Sequence, residues 1–200
     1  MAAERVTSPI ALPPWDNSAM DGYAIRAGDT AIATEEAPVP LEVIGEVRAG
    51  QPPETEVRRG TAVRIATGAP VPPRADAVIP VEQTTPLDAT GAVAGERGRD
   101  ATGPLPAKIA AHARVAQGGS IRRMGSDLAA GTPIIEPGTI LTPALIGLAA
   151  GVGLELVNVH RRPNVSVMAT GDEVRGRGAD LGAAGIPDAN GPALMAMVEA

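Results

Sequence analysis

Two hundred residues are enough for one or two domains with a buried core. The 44% apolar fraction is almost wholly aliphatic, with one Trp, one Tyr and no Phe, and the net charge is −6. That balance argues against a nucleic-acid binder, which needs clustered cations and aromatic faces, and the absence of cysteine excludes disulfides, thiolate metal sites and a Cys nucleophile.

In chain order, DNSAMDGYA (residues 16–24) leads into the alternating run Tyr23 to Ala27, which reads as a half-buried strand stopped by Gly28-Asp29. Leu41 to Val47 and Ala62 to Ala66 read as the next strands, the second ending at Thr67-Gly68-Ala69-Pro70. Ala75 to Glu82 returns as another, its Pro80 implying an edge or a bulge. Residues 84–104 lack periodicity and read as a mobile excursion, and a further strand region surrounds Lys108 to Val115. With 24 glycines and 20 prolines as punctuation, these short strands point to a small barrel or sandwich.

The pattern then changes. Gly131 to Ile135 is a short strand, followed by a Pro-Gly turn at residues 136–139. Thr142 and Pro143 suit the N-cap and first turn of a helix reaching about Ala150, with Gly151 as its stop. The uncharged stretch 137–154 is broken by Pro and Gly, so it is expected to form turns and a short helix, not a membrane span. Leu154 to Val159 and Val165 to Thr170 read as strands, and Asp188 to Pro192 opens a helix with Leu194, Met197 and Val198 on one face. A strand, a loop and a helix would begin a parallel βαβ unit, and no second strand follows; either the helix docks on the earlier domain or the sequence is a piece of a longer protein, which is the expectation. No charged leader precedes an apolar run, which makes the cytoplasm the expected location.

Several clusters could carry chemistry. Asp16 and Asp21 could offer oxygens to a hard cation, with Asn17 and Ser18 adding hydrogen bonds and Gly22 letting a ligand approach; on spacing alone Asp16-Asn17-Ser18 reads first as a turn. Ala-Thr-Gly ends two apolar runs, at Thr67-Gly68 and Thr170-Gly171, where a hydroxyl and free N–H groups can meet an anion. Asp172 and Glu173 add acidity to the second copy. Arg122, Arg123 and Asp127 form either an oxyanion site or a structural ion pair. His112 and His160 have no partner pattern and read as structural.

In order and spacing, DNSAMDGYAIR, RIATGAPVPPRADAVIPVEQT, IRRMGSDLAAGTPII, ATGDEV and DANGPALMAMVE resemble the molybdopterin molybdenumtransferase family, the bacterial MoeA proteins and the C-terminal domain of gephyrin. The resemblance runs from Leu12 to Ala200 and decides the opening cluster in favour of a pocket. It implies a mixed α and β fold. Residues 1–15 would pair with a linking domain at 123–160, residues 16–122 would form a β-rich barrel-like domain, and 161–200 would begin an α/β molybdopterin-binding domain that is incomplete here. It further implies insertion of molybdenum from molybdate into adenylylated molybdopterin with release of AMP, assisted by Mg²⁺ in a homodimer, with no nucleic-acid or membrane partner. Position by position, Asp21, Thr67 and Glu173 fall in catalytic motifs, with Asp21 and Glu173 as metal ligands. Arg122, Asp127, Thr170 and Gly171 fall in substrate-binding ones, and Asp16 is a weaker addition. In these roles Asp21 and Glu173 hold the cation, Thr67 hydrogen-bonds an oxyanion, and Asp127 orients Arg122 toward phosphate or molybdate. Ser126 stands where the family commonly has an acidic residue, and the leading N-terminal helix and later glycine-rich and Lys/Pro/Gly segments are absent. The alternatives are a non-catalytic dimerisation or scaffolding module from the same family and a small molybdate-binding module.

Overall fold

The computed structural model describes residues 1–98 and 103–199. The chain is mostly β and divides into two compact units, Met1–Asn158 and Val159–Ala200.

In the first unit the strands are β1 (Val6–Thr7), β2 (Asn17–Ser18), β3 (Gly22–Ile25), β4 (Val39–Val47), β5 (Thr61–Ile65), β6 (Ala77–Pro80), β7 (Thr84–Leu87), β8 (Lys108–Ala111), β9 (Ile121–Arg122) and β10 (Pro133–Ile135). Six of them form one sheet in the order β6-β3-β5-β4-β8-β7, antiparallel except for the parallel β4–β5 pair. The edge strands β6 and β7 are consecutive in the chain, joined only by the short 3₁₀ turn Val81–Gln83. Laid flat, six strands would set those edges about 24 Å apart, whereas the link from Pro80 to Thr84 reaches about 15 Å at full stretch. The sheet must therefore curl on itself, as an incomplete barrel.

Alternation along the strands sends side chains to two cores. Tyr23 and Ile25 of β3 join Ala77 and Ile79 of β6, with Leu41 and Ile109, on one face. Ala24, Val63, Ile65 and Val78 face the other way and are covered by Val47, Val57 and Ala69. Both faces are buried, so β3 is covered on both sides where its alternation led to the expectation of a half-buried strand. Proline sits where an edge tolerates it, Pro80 in β6 and Pro86 in β7.

The segment 84–104 differs from its expected mobile character. Its first four residues are edge strand β7, paired with β8 from Thr84↔Ala111 to Leu87↔Lys108. The Asp88 carboxylate then accepts from the Thr90 and Ala92 N–H groups, and Arg97 forks onto both oxygens of Glu35 at 2.6 and 2.8 Å. Residues 99–102 lie outside the described part. Sequence periodicity missed β7 because its order comes from the β8 ladder and not from its own Thr-Thr-Pro-Leu pattern.

A third core joins Ala2, Ile135 and Ala149. Here β1 pairs with β10, and the Ala2 and Ala3 N–H groups donate to Thr139 and Asn158. Helix α1 (Pro143–Gly151) starts as expected, with the Thr142 hydroxyl accepting from the Leu145 N–H. Its stop lies two residues later than expected, at Gly153 (φ +82°). There Gly153 N–H donates to Ala150 and Leu154 N–H to Ala149, the Schellman arrangement. Residues 154–158 form no ladder; Leu154 and Val157 instead cover the third core.

The second unit contains β11 (Val174–Arg175), parallel to β12 (Ile186–Pro187), and helix α2 (Asn190–Glu199). Asp188 accepts from the Gly191 N–H and fastens the start of α2. Residues 165–170 form no strand, since no neighbouring strand among the described residues supplies a ladder. Leu194, Met197 and Val198 of α2 are exposed. No helix among the described residues is long and apolar enough to cross a membrane.

Candidate functional site

The DNSAMDG segment is a seam between two distant stretches. Asn17 pairs with Arg122 through β2–β9 and also bridges to Pro70. Ser18 N–H donates to Ala69, and Gly68 N–H donates back to Ser18. The Ser18 hydroxyl bonds the Met20 carbonyl and closes a local turn.

Antiparallel register then dictates what Asp21 meets. Gly22 is opposite Ile65 on one side and Pro80 on the other, so Asp21 stands beside the residues that follow β5. Its carbonyl accepts from Val81 N–H at 3.0 Å. Ala66 to Ala69 form a tight turn, closed by Ala69 N–H to the Ala66 carbonyl and allowed by Gly68 at φ +79°. That turn aims Thr67 at Asp21. The Thr67 N–H and hydroxyl both donate to Asp21 Oδ1, at 2.7 and 2.9 Å. Asp21 Oδ2 has no protein partner among the described residues, and both side chains are exposed. The result is a carboxylate locked in orientation by one oxygen and open at the other.

Gly22 serves a different purpose from the expected ligand approach. A Cβ there would stand 2.1 Å from the Ile79 carbonyl oxygen, so its hydrogen is what lets β3 and β6 close beside Asp21.

Asp16 is committed elsewhere. Its Oδ1 accepts from Met124 N–H at 2.8 Å and its Oδ2 from Arg123 at 2.6 Å. The Met124 N–H foremost, then the Arg123 guanidinium, hold this carboxyl below its usual range. Arg122 pairs instead with Asp127, whose other oxygen lies 3.2 Å from the Ser126 hydroxyl. Each oxygen of Asp16 therefore already holds a donor. Nothing local in the sequence pointed to the Arg123–Asp16 bond, which joins residues 107 positions apart. Asn17 was expected to add hydrogen bonds; it is 5% exposed, and its Oδ1 has no partner among the described residues.

In the second unit Thr170, Gly171 and Glu173 are all exposed. Gly171 has φ +140°, and the Glu173 carboxylate oxygens sit 2.9 Å from the point a Cβ on it would occupy. Val174 N–H donates to the Gly171 carbonyl and Ile186 N–H to that of Glu173, so the glutamate is held on a turn at the start of β11. Among the described residues, no three His, Asp or Glu side chains gather as a metal site.

The family described as MoeA N-terminal region (domain I and II) matches residues 1–153. A protein of Mycobacterium tuberculosis named molybdopterin molybdenumtransferase 2 is 41% identical over 96% of this chain and 43% of its own length. The molybdopterin molybdenumtransferase of Synechococcus elongatus is 38% identical over 87% of this chain and 39% of its own. The crystal structure of a molybdopterin biosynthesis MoeA protein from Pyrococcus horikoshii superposes with a TM-score of 0.81 at 36% identity, covering all of this chain and 46% of that one. The chain thus spans less than half the length of these relatives.

Proposed function

The chain belongs to the MoeA family, and from that premise we propose that it carries part of the site that inserts molybdenum from molybdate into adenylylated molybdopterin, with release of AMP. The observation that carries this reading is the Asp21–Thr67 pair, a carboxylate oriented from one side and free on the other. A carboxylate prepared in this way contributes fixed negative charge without reorganising during reaction. Thr67 acts first by orienting Asp21, since its hydroxyl proton and its N–H are both directed at Oδ1.

The donor set suits a hard divalent cation such as Mg²⁺. Asp21 Oδ2 is uncommitted, and the Glu173 carboxylate forms no hydrogen bond among the described residues. Asp21 in the first unit and Glu173 in the second are each proposed, separately, as a carboxylate ligand for such an ion, which supplies Lewis-acid neutralisation of phosphoanhydride charge when bound. Arg122 offsets phosphate or molybdate charge, Asp127 sets its direction, and Thr170 and Gly171 line the substrate. The reading includes a homodimer working in the cytoplasm.

The test is AMP release from adenylylated molybdopterin and molybdate, measured for this chain and for a version extended by the C-terminal half of a relative. The extended version should release AMP, and Asp21→Asn or Glu173→Gln should lower the rate by about a hundredfold without changing the melting curve. Unchanged rates in both variants would remove the assignment. Dimerisation without AMP release in the extended version would favour the scaffolding module instead.

A further inference from the structure

His112 has no partner pattern in the sequence, yet the structure sets an acceptor beside each nitrogen of its ring. The residue directly follows β8, and its N–H donates to the Gln83 carbonyl. Nε2 lies 2.8 Å from the Thr85 hydroxyl on edge strand β7. Nδ1 is buried without a hydrogen-bond partner among the described residues, 3.7 Å from Glu35 Oε2. The whole side chain is only 14% exposed.

Glu35 is also where the segment 88–98 is tied down. Arg97 forks onto both of its oxygens and donates from Nε to the Glu82 carbonyl at 2.9 Å. Gly98 N–H then donates to the Thr84 carbonyl. The charged groups gathered at the ring are Glu35 and, through it, Arg97; Thr85 is neutral. One short turn, Val81–Gln83, is held by Arg97 at Glu82, by His112 at Gln83 and by Asp21 at Val81. A neutral imidazole carries a single N–H, which can serve Thr85 or Glu35 but not both. When Nε2 donates to Thr85, Nδ1 is left as a bare lone pair beside a carboxylate. The imidazolium carries an N–H on each nitrogen and a positive charge, which suits both neighbours at once.

We propose that His112 is a proton-operated clasp: once protonated, its ring binds Thr85 and Glu35 together and tightens the hold of Glu35 and Arg97 on the segment 88–98. The carboxylate has room for this, since each of its oxygens takes one hydrogen bond from the Arg97 fork and has a further lone pair. Arg97 and Glu35 sum to zero charge, so a cation 3.7 Å from the carboxylate is attracted to the pair. About 0.7 Å of movement by the exposed Glu35 side chain brings that distance to hydrogen-bond length. Imidazoles titrate between about pH 5 and 8. Glu35 stays ionised over that range, because the Arg97 guanidinium holds its carboxyl below the usual value. His160, the other imidazole, lies in the second unit. The clasp goes beyond the molybdenum-insertion reading and does not depend on it.

Amide hydrogen exchange followed by NMR tests this. Each rate is corrected for the intrinsic effect of pH, and protection at Gly98 is taken relative to the amides of β3. Between about pH 8 and about pH 5, relative protection at Gly98 should rise about threefold as acid is added, the scale of a partly exposed ion pair. His112→Gln keeps a hydrogen-bonding side chain that does not titrate, and should hold relative protection constant. Glu35→Gln, at an exposed position, keeps an oxygen for Arg97 and should likewise abolish the rise. A fall in protection with acid would mean that the charged ring displaces Arg97, and would overturn the proposal. So would a flat profile in the parent, or an undiminished rise in either variant. Glu35→Gln decides the matter by itself should His112→Gln fail to fold. No step of the measurement involves molybdate, AMP or the Asp21 carboxylate, so the clasp and the insertion reading fail separately.

Discussion

The tripeptide Ala-Thr-Gly ends two apolar runs, at 66–68 and at 169–171, and these two copies have different structures. The first follows β5, which is flanked on both sides in a six-stranded sheet, and its turn closes with a backbone hydrogen bond that leaves Thr67 facing Asp21. The second follows residues 165–168, which have no ladder, and the Thr170 side chain is exposed without a hydrogen-bond partner among the described residues. Both glycines have positive φ, +79° and +140°. The three residues therefore set what the backbone can do, and the strand before them sets where the hydroxyl points.

The largest expected effect comes from the glycine that brings the first copy to Asp21. Gly22→Ala forces a Cβ against the Ile79 carbonyl oxygen, which is backbone and cannot swing aside. A loss of about 3 kcal/mol is expected in a denaturant melt, the upper end of overpacking costs. A loss under about 1 kcal/mol would mean that β3 and β6 separate easily and that the first copy owes less to the sheet than its geometry implies.

The paired glycine substitutions compare the copies directly. Gly68 has open space around it, so Gly68→Ala costs only the left-handed conformation, about 1–2 kcal/mol. Gly171→Ala also meets the Glu173 carboxylate, yet that carboxylate is the mobile end of an exposed side chain. It should shift the melt of the first unit by no more than about 0.5 kcal/mol. Equal shifts would break the comparison.

A smaller effect is expected in acid. Asp16 is held below its ordinary value of 3.8 by Met124 N–H and Arg123, so its folded value is lower than its unfolded one. The stability it contributes is complete above the unfolded value and is lost as pH falls through the folded one. Asp16→Asn should therefore flatten the decline in melting temperature below about pH 4. Its side chain is 39% exposed, which keeps the effect modest. Parallel acid profiles for the variant and the parent would sever Asp16 from the seam.

Residues with strong local rules were legible without coordinates. The runs Tyr23 to Ala27, Leu41 to Val47 and Ala62 to Ala66 read as strands and overlap β3, β4 and β5, Thr142-Pro143 announced itself by capping chemistry, and Pro80 by its exclusion from a central strand. Thr84 to Leu87 did not, because an edge strand containing proline derives its order from its neighbour. Leu154 to Val159 and Val165 to Thr170 read as strands, yet residues 154–158 and 165–170 have no ladder, since periodicity records which face is apolar and not whether a partner exists.

The candidate site divides along the same line. Sequence alone determined which side chains can do chemistry, Asp21, Thr67, Arg122, Asp127 and Glu173 among them, because carboxylate, hydroxyl and guanidinium character belongs to the residue. Tertiary structure decided their pairing. Asp21 meets Thr67 because Gly22 is in register with Ile65, and Arg123, not its neighbour Arg122, meets Asp16 because β2 lies along β9. Hydrogen-bond register between strands far apart in the chain is a property of the assembled sheet, and no window of sequence contains it.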